Sequence, residues 1–91
     1  MGKALQIDSR DNVAVVLSEV LEGEEILVTL ENEKINIQAV QAIPFGHKIS
    51  LRELPVDEPI IKYGEEIGKA KNTIRAGEWI HLHNVYCERG R

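Results

Sequence analysis

Apolar and polar residues along this chain come in short runs, and none keeps the three-to-four-residue spacing of an amphipathic helix. Residues 13–17 (Val-Ala-Val-Val-Leu) form a continuous, mostly β-branched run that suits a buried strand. Residues 25–30 and 60–63 are similar, residues 34–38 (Lys-Ile-Asn-Ile-Gln) alternate cleanly as a half-buried strand does, and residues 47–51 add another. A first strand is expected within residues 3–8, and residues 18–22 can close one helical turn before Gly23. Between the runs lie turn formers at residues 9–12, 31–33, 44–46 and 71–73. Pro55 and Pro59 bracket an acidic loop, because proline has no N–H for a central ladder. Gly68 stands inside strand-like sequence, which predicts a bulge or a close approach of another backbone. Many short strands with glycine turns define a small, mainly β domain.

One template recurs: an apolar residue, a glycine three positions on, an apolar residue three further, and another two beyond. It is met by Val20-Gly23-Ile26-Val28, Ile43-Gly46-Ile49-Leu51 and Ile74-Gly77-Ile80-Leu82, and in part by Ile61-Gly64-Ile67. Hairpins converge on such a pattern, so it supports the fold class without proving duplication.

The stretch at residues 74–85, Ile-Arg-Ala-Gly-Glu-Trp-Ile-His-Leu-His-Asn-Val, carries the most chemistry. Read as one extended strand, it places Ile80, Leu82 and Asn84 on one face and Trp79, His81, His83 and Val85 on the other. Residues two apart on a strand face are about 6.5 Å apart, so two imidazoles there can converge on one ion or anion.

Size and charge narrow the function. Ninety-one residues make a single domain, with a core from about residue 4 to 85 and a polar tail at 86–91. A chain this short buries about 60% of its unfolded surface, too little for a deep internal active site. A net charge of −4 argues against nucleic-acid binding, which relies on clustered Lys and Arg. No apolar run approaches the roughly 20 residues that span a bilayer, and residues 1–6 lack the apolar stretch of a secretory signal. Cys87 is the single cysteine, so no internal disulfide can form. A cytoplasmic location is expected.

Four segments together resemble one family. Residues 60–70 (Ile-Ile-Lys-Tyr-Gly-Glu-Glu-Ile-Gly-Lys-Ala) and 74–84, with Asp11-Asn12-Val13-Ala14-Val15 and Ile43-Pro44-Phe45-Gly46-His47-Lys48-Ile49, are similar to the N-terminal SAF domain of the altronate and galactarate dehydratases. The same module occurs as the small alpha subunit of sulfolactate sulfo-lyase. The resemblance implies a β-clip fold, in agreement with the strand pattern. It also implies a large partner subunit or domain, because the part that carries most of the active site in those enzymes is absent from these residues. The expected function is that of a small subunit or N-terminal domain of a metal-dependent sugar-acid dehydratase, inactive alone. The alternatives are the alpha subunit of a (2R)-sulfolactate sulfo-lyase and a sugar-acid-binding module without catalysis. A structural oligomerisation element with incidental histidines is a further reading.

Such a lyase needs a base for the proton alpha to the carboxylate, an acid for the departing group, cationic groups, and a metal to steady enediolate charge. Within the resemblance, His81 and His83 are the candidate ligands of a divalent metal, Fe(II) or Mn(II), and His47 and Lys48 the candidate catalytic pair. Lys62, Tyr63 and Asn84 are candidate substrate contacts; Asp11 and Asn12 are expected to support the site from behind. Each has a plainer reading: turn histidines, a surface lysine, a packed tyrosine, turn-forming Asp and Asn, and a strand-end Asn. Trp79 either flanks the histidines or anchors a partner.

Overall fold

The computed structural model describes residues 1–87. Nine strands and no helix occur among these residues. In chain order they are β1 (Gly2–Leu5), β2 (Val13–Val16), β3 (Glu25–Leu30), β4 (Glu33–Gln38), β5 (Lys48–Ser50), β6 (Pro59–Lys62), β7 (Glu65–Ala70), β8 (Trp79–Ile80) and β9 (Val85–Tyr86). They form a six-stranded sheet, β4-β3-β1-β2-β5-β8, and a three-stranded sheet, β6-β7-β9. The small, mainly β domain read from the sequence is thus observed.

The recurring template is a structural unit. Four type II turns start at Leu21, Pro44, Pro55 and Arg75, each closed by a backbone bond of 3.0–3.1 Å from its fourth residue to its first. The third residue is left-handed in all four: Gly23, Gly46 and Gly77 have φ of 83–85°, and Asp57 has φ 70°. The residue before each turn (Val20, Ile43, Leu54, Ile74) and the one three past the left-handed position (Ile26, Ile49, Ile60, Ile80) are all buried. The units associate in pairs. Val20 and Ile43 exchange backbone bonds of 3.0 and 2.8 Å, and Leu54 and Ile74 exchange two of 2.8 Å.

This pairing builds two cores. Val20, Ile26, Ile43 and Ile49 sit in the first with Ala4, Ala14, Val16, Val28 and Ala39. Leu54, Ile60, Ile74 and Ile80 sit in the second with Val13 and Ala70. Fully burying an aliphatic side chain contributes roughly 1.5–3 kcal/mol, so these repeated positions supply much of what holds the fold. Alternation along β2, β5 and β8 serves both cores. Ala14, Val16, Ile49 and Trp79 pack toward the first, and Val13 and Ile80 toward the second.

Several expectations change. The fourth copy is Leu54-Asp57-Ile60, hidden because an aspartate occupies the glycine position. Ile61-Gly64-Ile67 is not a copy. Tyr63 and Gly64, with φ of 55° and 75°, make the two-residue hairpin turn of β6–β7, and both φ signs are those of a type I′ turn. Residues 18–22 form no helical turn, because Val20 bridges to Ile43. Strand β4 is the sheet edge and mostly exposed, so its clean alternation marks only Ile37 as packing on the core. Tyr86 pairs with Lys69 in β9 rather than opening a tail, and residues 88–91 of the expected tail lie outside the described residues.

Gly68 meets both readings made of it. The β6–β7 register shifts between Ile60 and Ile61, and a Cβ on Gly68 would lie 2.9 Å from the Tyr86 carbonyl. The turn glycines differ in how much they tolerate. A Cβ on Gly23 meets nothing within 4 Å, whereas one on Gly77 would lie 2.0 Å from the Gln38 carbonyl oxygen. Denaturant unfolding should therefore show Gly23→Ala losing about 1–2 kcal/mol, the cost of a left-handed alanine. Gly77→Ala should lose more than about 3 kcal/mol, strain and overlap together. Equal losses would contradict this packing.

Candidate functional site

The histidine cluster arises where the repeated unit departs from its own pattern. The fourth residue of the turn is Glu24, His47, Glu58 or Glu78. In two units it closes the turn: Glu24 accepts from the Leu21 N–H at 2.9 Å, and Glu78 accepts from the Arg75 N–H at 2.8 Å. In the other two the turn begins with Pro44 or Pro55, which has no N–H to satisfy. Those two fourth residues are released for other partners. Glu58 takes Arg52 at 2.9 Å, and His47 takes Trp79.

Trp79 organises the cluster. Its Nε1–H donates to His47 Nδ1 at 3.1 Å, with the rings edge-on at 5.3 Å and 78°. The His81 ring stacks on the indole at 5.3 Å and 14°, and the His47 and His81 centroids are 5.2 Å apart. His83 lies tilted against the indole at 5.6 Å. Trp79 is half-buried on the first core, and Gln41 Oε1 accepts its backbone N–H at 3.2 Å. All three histidines of the chain thus meet one tryptophan, although His47 is 32 residues from it.

The single strand expected through residues 79–85 does not form. Strand β8 ends at Ile80, and the chain turns through residues 81–84 before resuming at β9. The cause is Asn84, 1% exposed. Its Oδ1 accepts from the His81 N–H at 3.0 Å, its Nδ2 donates to the Trp79 carbonyl at 2.8 Å, and its backbone N–H donates to the His81 carbonyl at 3.0 Å. His81 and His83 meet Trp79 because of this turn rather than strand alternation. Asn84 is a turn-holding residue, buried and committed to backbone, not an open contact for a sugar hydroxyl. Leu82, expected to share the face of Ile80, is 75% exposed.

Lys48 belongs to a different surface. It pairs with Val15 and Ile80, so it shares the sheet face of Ile80, opposite that of Ile49 and Trp79. His47 and Lys48 therefore do not converge. Burial pushes the Lys48 ammonium below the ordinary lysine value of 10.5, and the nearby charge of Lys62 pushes it the same way. Lys62 Nζ also sits 4.6 Å above the ring of Tyr63, which is exposed. The candidate residues thus separate into a histidine–tryptophan cluster and a Lys48–Lys62 pair.

Asp11 and Asn12 tie the two sheets together. Asn12 Nδ2 donates to the Pro59 carbonyl at 2.8 Å, and its Oδ1 accepts from the Ile61 N–H at 2.8 Å, so the side chain acts as a short strand beside β6. Asp11 Oδ1 accepts from the Gly64 N–H at 2.8 Å, which pins the β6–β7 turn carrying Lys62 and Tyr63. In the adjoining loop Arg10 bonds the Asp8 carboxylate and lowers it to about 2.

Among the described residues, no three or more His, Cys, Asp or Glu side chains gather as a metal site does. His81 and His83 offer two donors, fewer than a tetrahedral or octahedral ion requires. His47 Nδ1 accepts from the indole N–H, so that ring nitrogen is not open to an ion. The residues present do not fit a resident metal held by this chain alone. What sequence reasoning missed is the Trp79–His47 bond. Its signal is the histidine standing where other copies of the turn have glutamate.

Strand order, the Asn12 tie and this cluster define a small two-sheet β domain with its histidines gathered on one tryptophan. The chain belongs to the altronate/galactarate dehydratase SAF domain family, whose sequence profile matches residues 2–88. It is 39% identical over 85 residues to the (2R)-sulfolactate sulfo-lyase subunit alpha of Chromohalobacter salexigens, covering 90% of each chain. It is 36% identical over 85 residues to the altronate dehydratase of Bacillus subtilis, and 32% identical over 76 residues to the galactarate dehydratase (L-threo-forming) of Escherichia coli. It spans only 16% and 14% of those two proteins. Among the described residues, no helix is long and apolar enough to cross a membrane.

Two measurements check these assignments. Asn12→Ala leaves the Ile61 N–H and the Pro59 carbonyl without their partner. At about 1–3 kcal/mol for each group left unpaired, urea unfolding should show a loss of about 2–6 kcal/mol; a loss under 1 kcal/mol would contradict the tie. For Lys48, the charged form is the one burial penalises. Below its lowered value the penalty is full, and stability should climb as pH rises toward the unfolded value of 10.5. Lys48→Met should remove that slope and raise the melting temperature at neutral pH; an unchanged slope would assign it to other groups.

Proposed function

We propose that this chain is the SAF component of a lyase that eliminates a β-leaving group from a hydroxylated carboxylic acid, working with a larger subunit or domain. The observation that carries this reading is the match of nearly the whole chain to a family whose relatives include both dehydratases and a sulfo-lyase subunit. The first reading is dehydration of a sugar acid of the altronate or galactarate type. A second is cleavage of sulfolactate, favoured by 39% identity across 90% of the sulfo-lyase alpha subunit. The two share one elimination, with water leaving in the first and sulfite in the second.

The geometry supports the following part for this chain. His47, with hydrogen on Nε2, donates to the departing oxygen of the substrate. A positioned general acid of this kind typically contributes 10²–10⁴-fold. His81, stacked on Trp79, lines the same surface. Lys48 and Lys62 lie on the other surface and have no contact to the acid that His47 meets in this scheme. The partner supplies the base and most of the enclosure, which a domain of this size cannot build. A divalent ion, Fe(II) or Mn(II), belongs in this scheme to the partner, with His81 and His83 as two donors at most. It would polarise the substrate carboxylate. A cytoplasmic location accompanies this role.

The test is reconstitution. The chain should be inactive alone and active when joined with its large partner, giving a 2-keto-3-deoxy acid from an aldonate or aldarate. Sulfite release from sulfolactate instead would move the assignment to the second reading. His47→Ala in the active complex should lower kcat by about 10²-fold or more, with melting temperature little changed. An active complex indifferent to His47→Ala would remove the histidine from the chemistry. A chain that binds a sugar acid but recruits no partner would make it a binding module.

A further inference from the structure

We propose that Trp79 is a positioning residue: its indole N–H selects the tautomer of His47 and so makes that histidine a hydrogen-bond donor at Nε2. This deepens the reading of the histidine cluster above and depends on that reading only for its catalytic consequence.

The argument starts from the repeated turn. Where the first turn residue has an N–H, as in Leu21 and Arg75, the fourth residue is a glutamate that accepts from it. Where the first residue is proline, that restraint is gone, and nothing within the turn fixes the fourth side chain. His47 follows Pro44 and stands in this freed position. A neutral imidazole held only by solvent exchanges its hydrogen between the two ring nitrogens, and a fixed partner on one nitrogen decides between them.

Trp79 is that partner. Indole Nε1–H can only donate, so at 3.1 Å His47 Nδ1 must accept, and the ring hydrogen is confined to Nε2. The indole is itself fixed. Strand β8 pairs Trp79 with Ile49, its ring packs on the first core, and Gln41 holds its backbone N–H. The stacked His81 ring covers one indole face. A rigid donor thus reaches Nδ1 from a different strand, and among the described residues no acid is bonded to His47 to compete for it. The corresponding strand residues of the other three units are Glu25, Lys48 and Pro59, none of which has an aromatic N–H. Neutral His47 consequently has no lone pair to offer a metal ion, and its open nitrogen presents a hydrogen.

The experiment is nitrogen-15 NMR of the imidazole rings in the 91-residue chain, without substrate or metal, in mildly alkaline solution. His47 should show well-separated nitrogen shifts, with Nδ1 unprotonated and Nε2 protonated, and a coupling across the bond from Trp79 Nε1 to Nδ1. In Trp79→Phe, which keeps an aromatic ring and removes the N–H, the two shifts should converge as both tautomers become populated. A His47 ring carrying its hydrogen on Nδ1 in the unmodified chain would overturn the proposal, even if the variant fails to fold. An unchanged tautomer in a folded variant would also overturn it. In the reconstituted lyase, His47→Gln, whose amide N–H approximates Nε2–H, should retain more kcat than His47→Asn, which approximates Nδ1. The spectra report on the tautomer whether or not the chain proves to be a lyase component, so the two readings can fail separately.

Discussion

Everything in this domain depends on a backbone constraint met four times: one residue held at positive φ in a tight turn, three positions after one core residue and three before another. The turn reverses the chain so that both apolar residues enter the same core. The paired units then satisfy each other's backbone groups, Val20 with Ile43 and Leu54 with Ile74. Hydrophobic burial alone gives no such geometry, because it is non-directional. The left-handed residue supplies direction, and glycine supplies it at least steric cost. Asp57 shows that the geometry, not the glycine, is the invariant.

Two cores made this way need a link, and the link is polar. Asn12 gives its amide to the β6 backbone as a neighbouring strand would, and Asp11 holds the β6–β7 turn. Both are nearly buried, and every buried side-chain nitrogen and oxygen among the described residues has a partner. Such satisfied networks specify one arrangement, since losing a partner leaves a buried group unpaired. The histidine cluster lies beside this frame and uses positions the frame does not need. Pro44 removes the N–H that a glutamate would otherwise occupy, and the released side chain reaches across to β8.

Much of this was legible in the sequence, and the failures have physical causes. Strands were readable from β-branched runs, and the Gly68 bulge from a glycine in strand-like sequence. Three repeats were visible because glycine marks positive φ; the fourth was invisible because aspartate can also adopt it. The histidines were singled out for proximity they do have, but by the wrong geometry. Alternation cannot foresee that Asn84 folds back onto Trp79 and ends the strand after two residues. His47 and Lys48 were read as one pair because they are adjacent, yet neighbours in extended chain face apart. The bond from Trp79 to His47 spans 32 residues and depends on strand pairing, which no local pattern encodes.

The most direct test of the account is a crystal structure of this chain with its large partner and a non-reacting substrate analogue, a carboxylate whose β-hydroxyl cannot leave. The account predicts the analogue's β-oxygen within hydrogen-bond distance of His47 Nε2, with the indole of Trp79 still on Nδ1. An analogue bound wholly within the partner, with the histidine cluster facing solvent or packed as plain interface, would contradict it.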